Sequence, residues 1–333
     1  MAAHPTPLKF LVPGWYAVPM GLCGLALAWH RAAPLMGEMA DAVALVAGAV
    51  AALVFGLLLV ATVLRWQRHP EAWAEDRAHP VRHSFIATLP IAAALLATVG
   101  VSLFGPHPAL EALWWAGSLG LLLVTRWVLT RWWLGNRVGG LQWLGITPAL
   151  FIPVVGNVLV PLAGVPLGHP NWSAAQFGVG LLFWPVITVL LMVRIGTQGM
   201  LPERLLPTMF ILIAPPTVAG LSALQLGAPE VVGWVAWGMA AFSFVWVGAL
   251  ANRIKALAFS MTHWALSFPV AAFAALTLRL ATPGSPMAVL GPLLLALSSL
   301  IILGLAAGTL RGLREGTLLA PEPVATIVPA STP

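Results

Sequence analysis

Charge is what this sequence has least of. Lysine, arginine, aspartate and glutamate make up 8% of its 333 residues, against 60% hydrophobic, whereas a soluble globular domain carries about 25% charged residues. That shortage excludes a soluble domain and leaves an integral membrane protein. Cysteine is nearly absent as well. Cys23, inside the first apolar run, is the single one, so no intrachain disulfide is available and a small packing role is its plain reading. Strict two-residue alternation is missing, which argues against a transmembrane β-barrel. The histidines are scattered, only His79 and His83 standing four residues apart with Pro80 between them, and they suggest no zinc site. The Gly139-Gly140 turn lacks the Lys-Ser or Lys-Thr that would follow a phosphate-cradling loop. No serine–histidine–acid arrangement falls within reach of the membrane interior. These absences point away from an enzyme and from any bound cofactor.

The placement of acids is equally telling. The ten carboxylates are Glu38, Asp41, Glu71, Glu75, Asp76, Glu111, Glu203, Glu230, Glu315 and Glu322. All fall in predicted loops, at helix ends or in the tail. Proton- and sodium-coupled carriers commonly keep an ionisable group within the membrane, and cation channels commonly use acidic rings or carbonyl filters. Neither is offered here. The path implied is passive or weakly coupled and serves something other than a cation.

What is present is a set of ten apolar stretches, each about 20 residues and so able to cross about 30 Å of hydrocarbon as a helix. The odd-numbered ones are 10–29, 82–104, 146–166, 207–226 and 262–282, and they carry Pro19, Pro90, Pro153, Pro215 and Pro269 among other prolines. The even-numbered ones are 41–64, 110–133, 174–193, 230–250 and 288–310; three have no proline, and the others have Pro185 and Pro292. A proline inside a membrane helix frees a carbonyl that lipid cannot satisfy. The alternation therefore predicts five kinked helices inside and five straighter ones outside, joined as five hairpins around a pore. Trp66, Trp132, Trp133, Trp172, Trp234 and Trp237 lie near predicted span ends and read as an interfacial belt.

Basic residues alternate from loop to loop. Fourteen lie on one predicted face and only Arg31 and Arg279 on the other, which puts both termini in the cytoplasm of a cell inner (plasma) membrane. This scatter, unlike a single basic patch, speaks against nucleic acid. No cleavable signal peptide is evident. Residues 1–314 form the predicted channel domain, and 315–333, rich in Pro, Ala and Thr, a disordered cytoplasmic tail. With all odd helices starting at the cytoplasm, their positive dipole ends share one mouth, and loop cations there raise local anion concentration. The dipole contribution is small and screened.

Five motifs then carry a resemblance. They are VPMGL at 18–22, HPVRHSFIATLP at 79–90, TPALFIP at 147–153 continuing to Asn157, PTMFILIAPP at 207–216, and WALSFP at 264–269. In this order they resemble the tellurite-resistance/dicarboxylate transporter family, which includes the plant slow-type anion channels. The resemblance implies a ten-helix protomer, a quasi-fivefold inner ring, a homotrimer with one pore per protomer, and a phenylalanine plug that matches Phe268. Pro269 stands where the bacterial pattern has glycine, so the kink beside the plug should differ in stiffness.

Each candidate has two readings. Phe268 is either a core phenylalanine between helices or, as the resemblance implies, the pore gate. Phe85, Phe151 and Phe210 form further apolar rings or pack against neighbours. Pro19, Pro90, Pro153, Pro215 and Pro269 shape the pore or are tolerated kinks. Arg82 and His83 attract anions at the vestibule or merely mark topology. Asn157 donates to a passing anion or holds a bent helix together. The function expected is a channel for small monovalent inorganic anions such as chloride or nitrate. The alternative is a carrier for a C4-dicarboxylate, sulfite or a tellurite-related oxyanion.

Overall fold

The structure, a computed structural model, describes residues 7–134 and 140–320. Arg137, Gly139 and the tail beyond 320 lie outside the described residues. The described chain is helical, with no strand among the described residues. Eight helices are long and apolar enough to cross a membrane. Ala17–Met36 and the shorter apolar Pro148–Gly164 are the other two elements expected to do so.

Burial follows the predicted alternation. In Arg82–Phe104, Glu203–Gln225 and Met261–Arg279 the apolar stretch is 83, 83 and 67% buried. In the helices between them, Glu38–Arg68, Pro108–Trp133, Pro170–Gln198, Glu230–Gly248 and Pro286–Arg314, the share is 22–33%. The inner segments touch in sequence. Ala17–Met36 packs on Thr88–Phe104, Arg82–Ala87 on Phe151–Val155, Gly156–Leu159 on Ala214–Gln225, Ala214–Gln225 on Ser267–Arg279, and Ser267–Arg279 on Ala17–Met36 again.

The prolines act differently from the kinks expected. Each inner segment opens as a 3-10 helix and then becomes α-helical: Pro13–Tyr16 into Ala17–Met36, Arg82–Ala87 into Thr88–Phe104, Pro148–Leu150 into Phe151–Val155, Glu203–Ile213 into Ala214–Gln225, and Met261–Leu266 into Ser267–Arg279. In all five the third α-helical residue is proline: Pro19, Pro90, Pro153, Pro216 and Pro269. A proline at the third position cannot donate to the carbonyl four residues back, so the α pattern does not extend into the preceding 3-10 turn, while its fixed φ suits the first α turn. The prolines thus mark a change of helix type in place of breaking a continuous α-helix. At two of these borders a hydroxyl on the first α residue closes the turn: Thr88 Oγ1 donates to the Phe85 carbonyl at 2.6 Å and Ser267 Oγ to the Trp264 carbonyl at 2.6 Å.

The first apolar helix runs further than predicted, to Met36, so Arg31 lies within it. It turns into Glu38–Arg68 through Gly37 alone, at φ 72°, a left-handed conformation that glycine tolerates. Of the tail, residues 315–320 fold back on the last helix, where Thr317 N–H donates to the Gly312 carbonyl at 2.9 Å and Leu318 packs on the core.

Candidate functional site

The five helix-type borders surround a narrow cavity of about 90 Å³. Every inner segment contributes to its wall, among them Ala17 and Met20, Phe85 and Ile91, Phe151 and Val155, Ala214 and Pro215, and Phe268 and Pro269. The first α residue of the first four segments (Ala17, Thr88, Phe151, Ala214) lines it, and in the fifth the second residue, Phe268, does. No charged side chain is in this wall. Its two threonines are turned to backbone: Thr88 Oγ1 meets the Pro13 carbonyl at 2.8 Å, and Thr262 Oγ1 the Arg204 carbonyl at 2.9 Å. The cavity is therefore hydrophobic, a surface that holds neither water nor ions well.

Phe268 is half-buried, with its ring against the backbone of the first helix. A Cβ on Gly24 would stand 3.0 Å from Phe268 Cδ2, and one on Gly21 would collide with Ser267 Oγ. Glycine at these two positions lets the first and last inner helices approach closely enough to seat the ring.

Of the sequence candidates, Phe85, Phe151, Pro215, Phe268 and Pro269 meet at this cavity, whereas Phe210, Pro19, Pro90 and Pro153 do not line it. Phe210 is buried in the core. Pro90 presses its carbonyl toward Gly117 of the neighbouring outer helix, where a Cβ would stand 2.7 Å away. The Pro153 carbonyl accepts from Thr125 Oγ1 at 2.6 Å. Asn157 is fully buried and faces the outer helices. Its Nδ2 donates to Thr125 Oγ1 and to the Val154 carbonyl, both at 2.9 Å, and its Oδ1 accepts from Gln176 Nε2 at 2.8 Å. Gln176 in turn accepts from Ser118 Oγ at 2.5 Å, and Trp172 Nε1 donates to that same hydroxyl at 2.9 Å. All of Asn157's polar atoms are thereby committed to holding the bent fifth segment.

Next to the cavity, on the side of the 3-10 turns, opens a basin of about 670 Å³. Met261 borders both spaces. Lys9, Arg65, Arg82, Arg204 and His263 line the basin, with Glu75 and Glu203. Arg82 thus stands at the mouth, but His83 does not. The His83 ring is buried, its Nδ1 bonds the His79 carbonyl at 2.9 Å, and its edge meets Trp127 at 6.2 Å between centroids.

The basin cations are closely matched by acids, which loop charges read singly do not reveal. Asp76, fully buried, holds Arg65 at 2.6 Å and Arg82 at 3.4 Å. Arg65 Nε also donates to the Lys9 carbonyl at 3.0 Å, while Lys9 Nζ lies 3.7 Å from Glu71 and 3.9 Å from Glu75. A backbone hydrogen bond at Glu71, with smaller help from His69 and Lys9, holds that carboxyl below the usual glutamate range. Glu203 pairs with Arg253 at 3.6 Å. Among the described residues no cluster of histidine, cysteine or carboxylate side chains has the makings of a metal site.

The family model for the voltage-dependent anion channels matches residues 11–310. The chain is 27% identical to the tellurite resistance protein TehA homolog of Haemophilus influenzae, over 79% of both chains. It is 25% identical to the S-type anion channel SLAH2 of Arabidopsis thaliana, over 83% of this chain and 53% of that one. To the S-type anion channel SLAH3 of the same plant it is 26% identical, over 72% of this chain and 38% of the other. The matched region is thus about half or less of the two plant proteins.

Proposed function

The chain belongs to the voltage-dependent anion channel family, and on that premise we propose that it passes small monovalent anions such as chloride and nitrate through the cavity at the five helix borders, with Phe268 as the gate. Its membership supports anion transport across a membrane by a multi-pass helical protein. The finer reading is ours. Ten spans form five hairpins, the inner five close a ring, and three copies assemble with one pathway each in the inner membrane, both termini cytoplasmic. Residues 1–314 carry the pathway.

One observation carries the reading: the Phe268 ring lies in the wall of an uncharged cavity to which all five inner segments contribute. An apolar constriction blocks ions because dehydrating them there is costly. Rotation of the ring would widen the path without exposing any charge. Weak contacts along the wall suit rapid exit, which conduction requires. Pro269 beside the ring fixes the start of the α-helix that carries it.

The experiment is Phe268→Ala in planar bilayers or oocytes. Anion current should rise well above that of the unaltered protein, with the preference for anions over cations kept. An unchanged current would remove Phe268 from the gate. Similarity to a tellurite-resistance protein over 79% of both chains favours a second reading, a carrier for an oxyanion or dicarboxylate. Saturation at low substrate with counterflow in liposomes would select the carrier, and unitary currents the channel.

A further inference from the structure

Arg31 and Arg279 stand apart from the other cations. The loop charges place them alone on the face opposite the basin, and the fold brings them to the same spot. Ala17–Met36 and Ser267–Arg279 pack side by side. Along their contact Gly21 meets Ser267, and Gly24 meets Phe268 and Ala271, so both helices advance in the same direction. About two turns further along this same face of the first helix lies Arg31, and about two turns beyond Ala271 lies Arg279. Each of the two packed helices therefore carries an arginine near the same end. Arg31 is half-buried and Arg279 exposed.

Among the described residues neither guanidinium has a side-chain hydrogen bond or an ion pair. The two carboxylates nearest in sequence on that face are Glu38, exposed at the start of the next helix, and Asp41, which His30 holds at 2.7 Å. Two like charges set together at the edge of an apolar body repel each other, and no protein group among the described residues offsets that repulsion with an ion pair. Helix C-termini favour cations only weakly, which accounts for either arginine alone but not for their convergence. An anion between them would reverse the repulsion and fill both forks, since guanidinium geometry matches planar or tetrahedral oxyanions.

We infer that Arg31 and Arg279 form an oxyanion-binding site at the end of the pathway opposite the basin, suited to nitrate or a phosphate group. Its role as a docking point for permeating anions rests on the transport reading; its binding does not.

The test is the melting temperature of the purified full-length protein in uncharged detergent. Sodium nitrate, sodium phosphate and short-chain phosphatidylglycerol are titrated separately, at ionic strength held constant with a bulky sulfonate. At least one probe should stabilise the protein saturably. Its half-saturating concentration should rise by about tenfold or more in Arg279→Gln, the loss of one charge-assisted contact, and by less in Arg279→Lys, which keeps the charge but not the fork. Response to the inorganic ions identifies a free anion as occupant, and response to phosphatidylglycerol alone identifies a lipid headgroup. No saturable stabilisation by any probe, or the same midpoint in Arg279→Gln, overturns the site. Arg279 is exposed at a helix end, so its variant is informative even if Arg31→Gln does not fold. Anion flux into liposomes is measured in parallel: flux without anion-dependent stabilisation sinks this site alone, and stabilisation without flux sinks the transport reading alone.

Discussion

The ring of Phe268 rests on a gap left by Gly24, whose missing Cβ would lie 3.0 Å from Phe268 Cδ2 and 3.3 Å from Ala271 Cβ. The gate and the backbone behind it are therefore one fitted pair. A methyl group at residue 24 would push the ring by a few tenths of an ångström toward the cavity. Gly24→Ala should lower anion current, while the double variant with Phe268→Ala should conduct like Phe268→Ala alone. Independent, additive effects in that cycle would show that the contact does not govern the ring.

Asp76 is fully buried behind the basin wall and holds two of the arginines that line it. Removing one partner of a buried ion pair leaves charge unmatched and costs about 3–5 kcal/mol. Asp76→Asn should lower the melting temperature of the purified protein markedly. Glu203→Gln, whose pair with Arg253 is exposed on both sides, should barely move it.

Gln176 bridges Ser118 and Asn157 between the outer helices and the bent fifth segment. Gln176→Leu leaves buried groups on both unpaired, a loss of about 1–3 kcal/mol. The expected result is a lower thermal midpoint together with altered conductance, because Val155, Gly156 and Val158 of that segment line the cavity.

Arg82 lines the basin and shares Asp76 with Arg65. Through-space attraction of anions fades beyond about 10 Å at 0.1 M salt. Arg82→Gln should reduce anion current from the basin side at low salt and leave it nearly unchanged at high salt. A deficit equal at both salt concentrations would mean that Arg82 acts by holding the loop, not by its potential.

The contrast in burial between Arg82–Phe104, Glu203–Gln225 and Met261–Arg279 and the helices between them was legible because proline and its scarcity are written in composition. The short connections were legible from glycine and proline: Phe104 and Pro108, or Gln225 and Glu230, end and begin helices within a few residues. How the backbone accommodates each proline was not. A missing N–H is met equally by a kink or by a change of helix type, and neighbouring helices decide which. The common third-position proline was present in the sequence, but it emerges only once the α-helices are known to begin at 17, 88, 151, 214 and 267. At the candidate site, Phe268 and Phe151 line the apolar cavity, while His83 turns to its own segment's His79 and to Trp127, and Asn157 to Thr125 and Gln176. Such partners lie 4 to 44 residues away along the chain, and a single sequence carries no signal of which will meet. Asp76 was read as an ordinary loop acid for the same reason.

The junctions where the 3-10 turns give way to α-helix have a mechanical meaning. Successive residues turn by about 120° in one form and about 100° in the other, with rises of about 2.0 and 1.5 Å. Moving such a junction by one residue would therefore swivel everything past it by about 20° and draw it in by about 0.5 Å. Phe268 is the second residue past its junction, and Pro269, which has no N–H to donate to the turn before, keeps the α-helix from starting earlier and so sets the angle at which that ring leaves the helix axis.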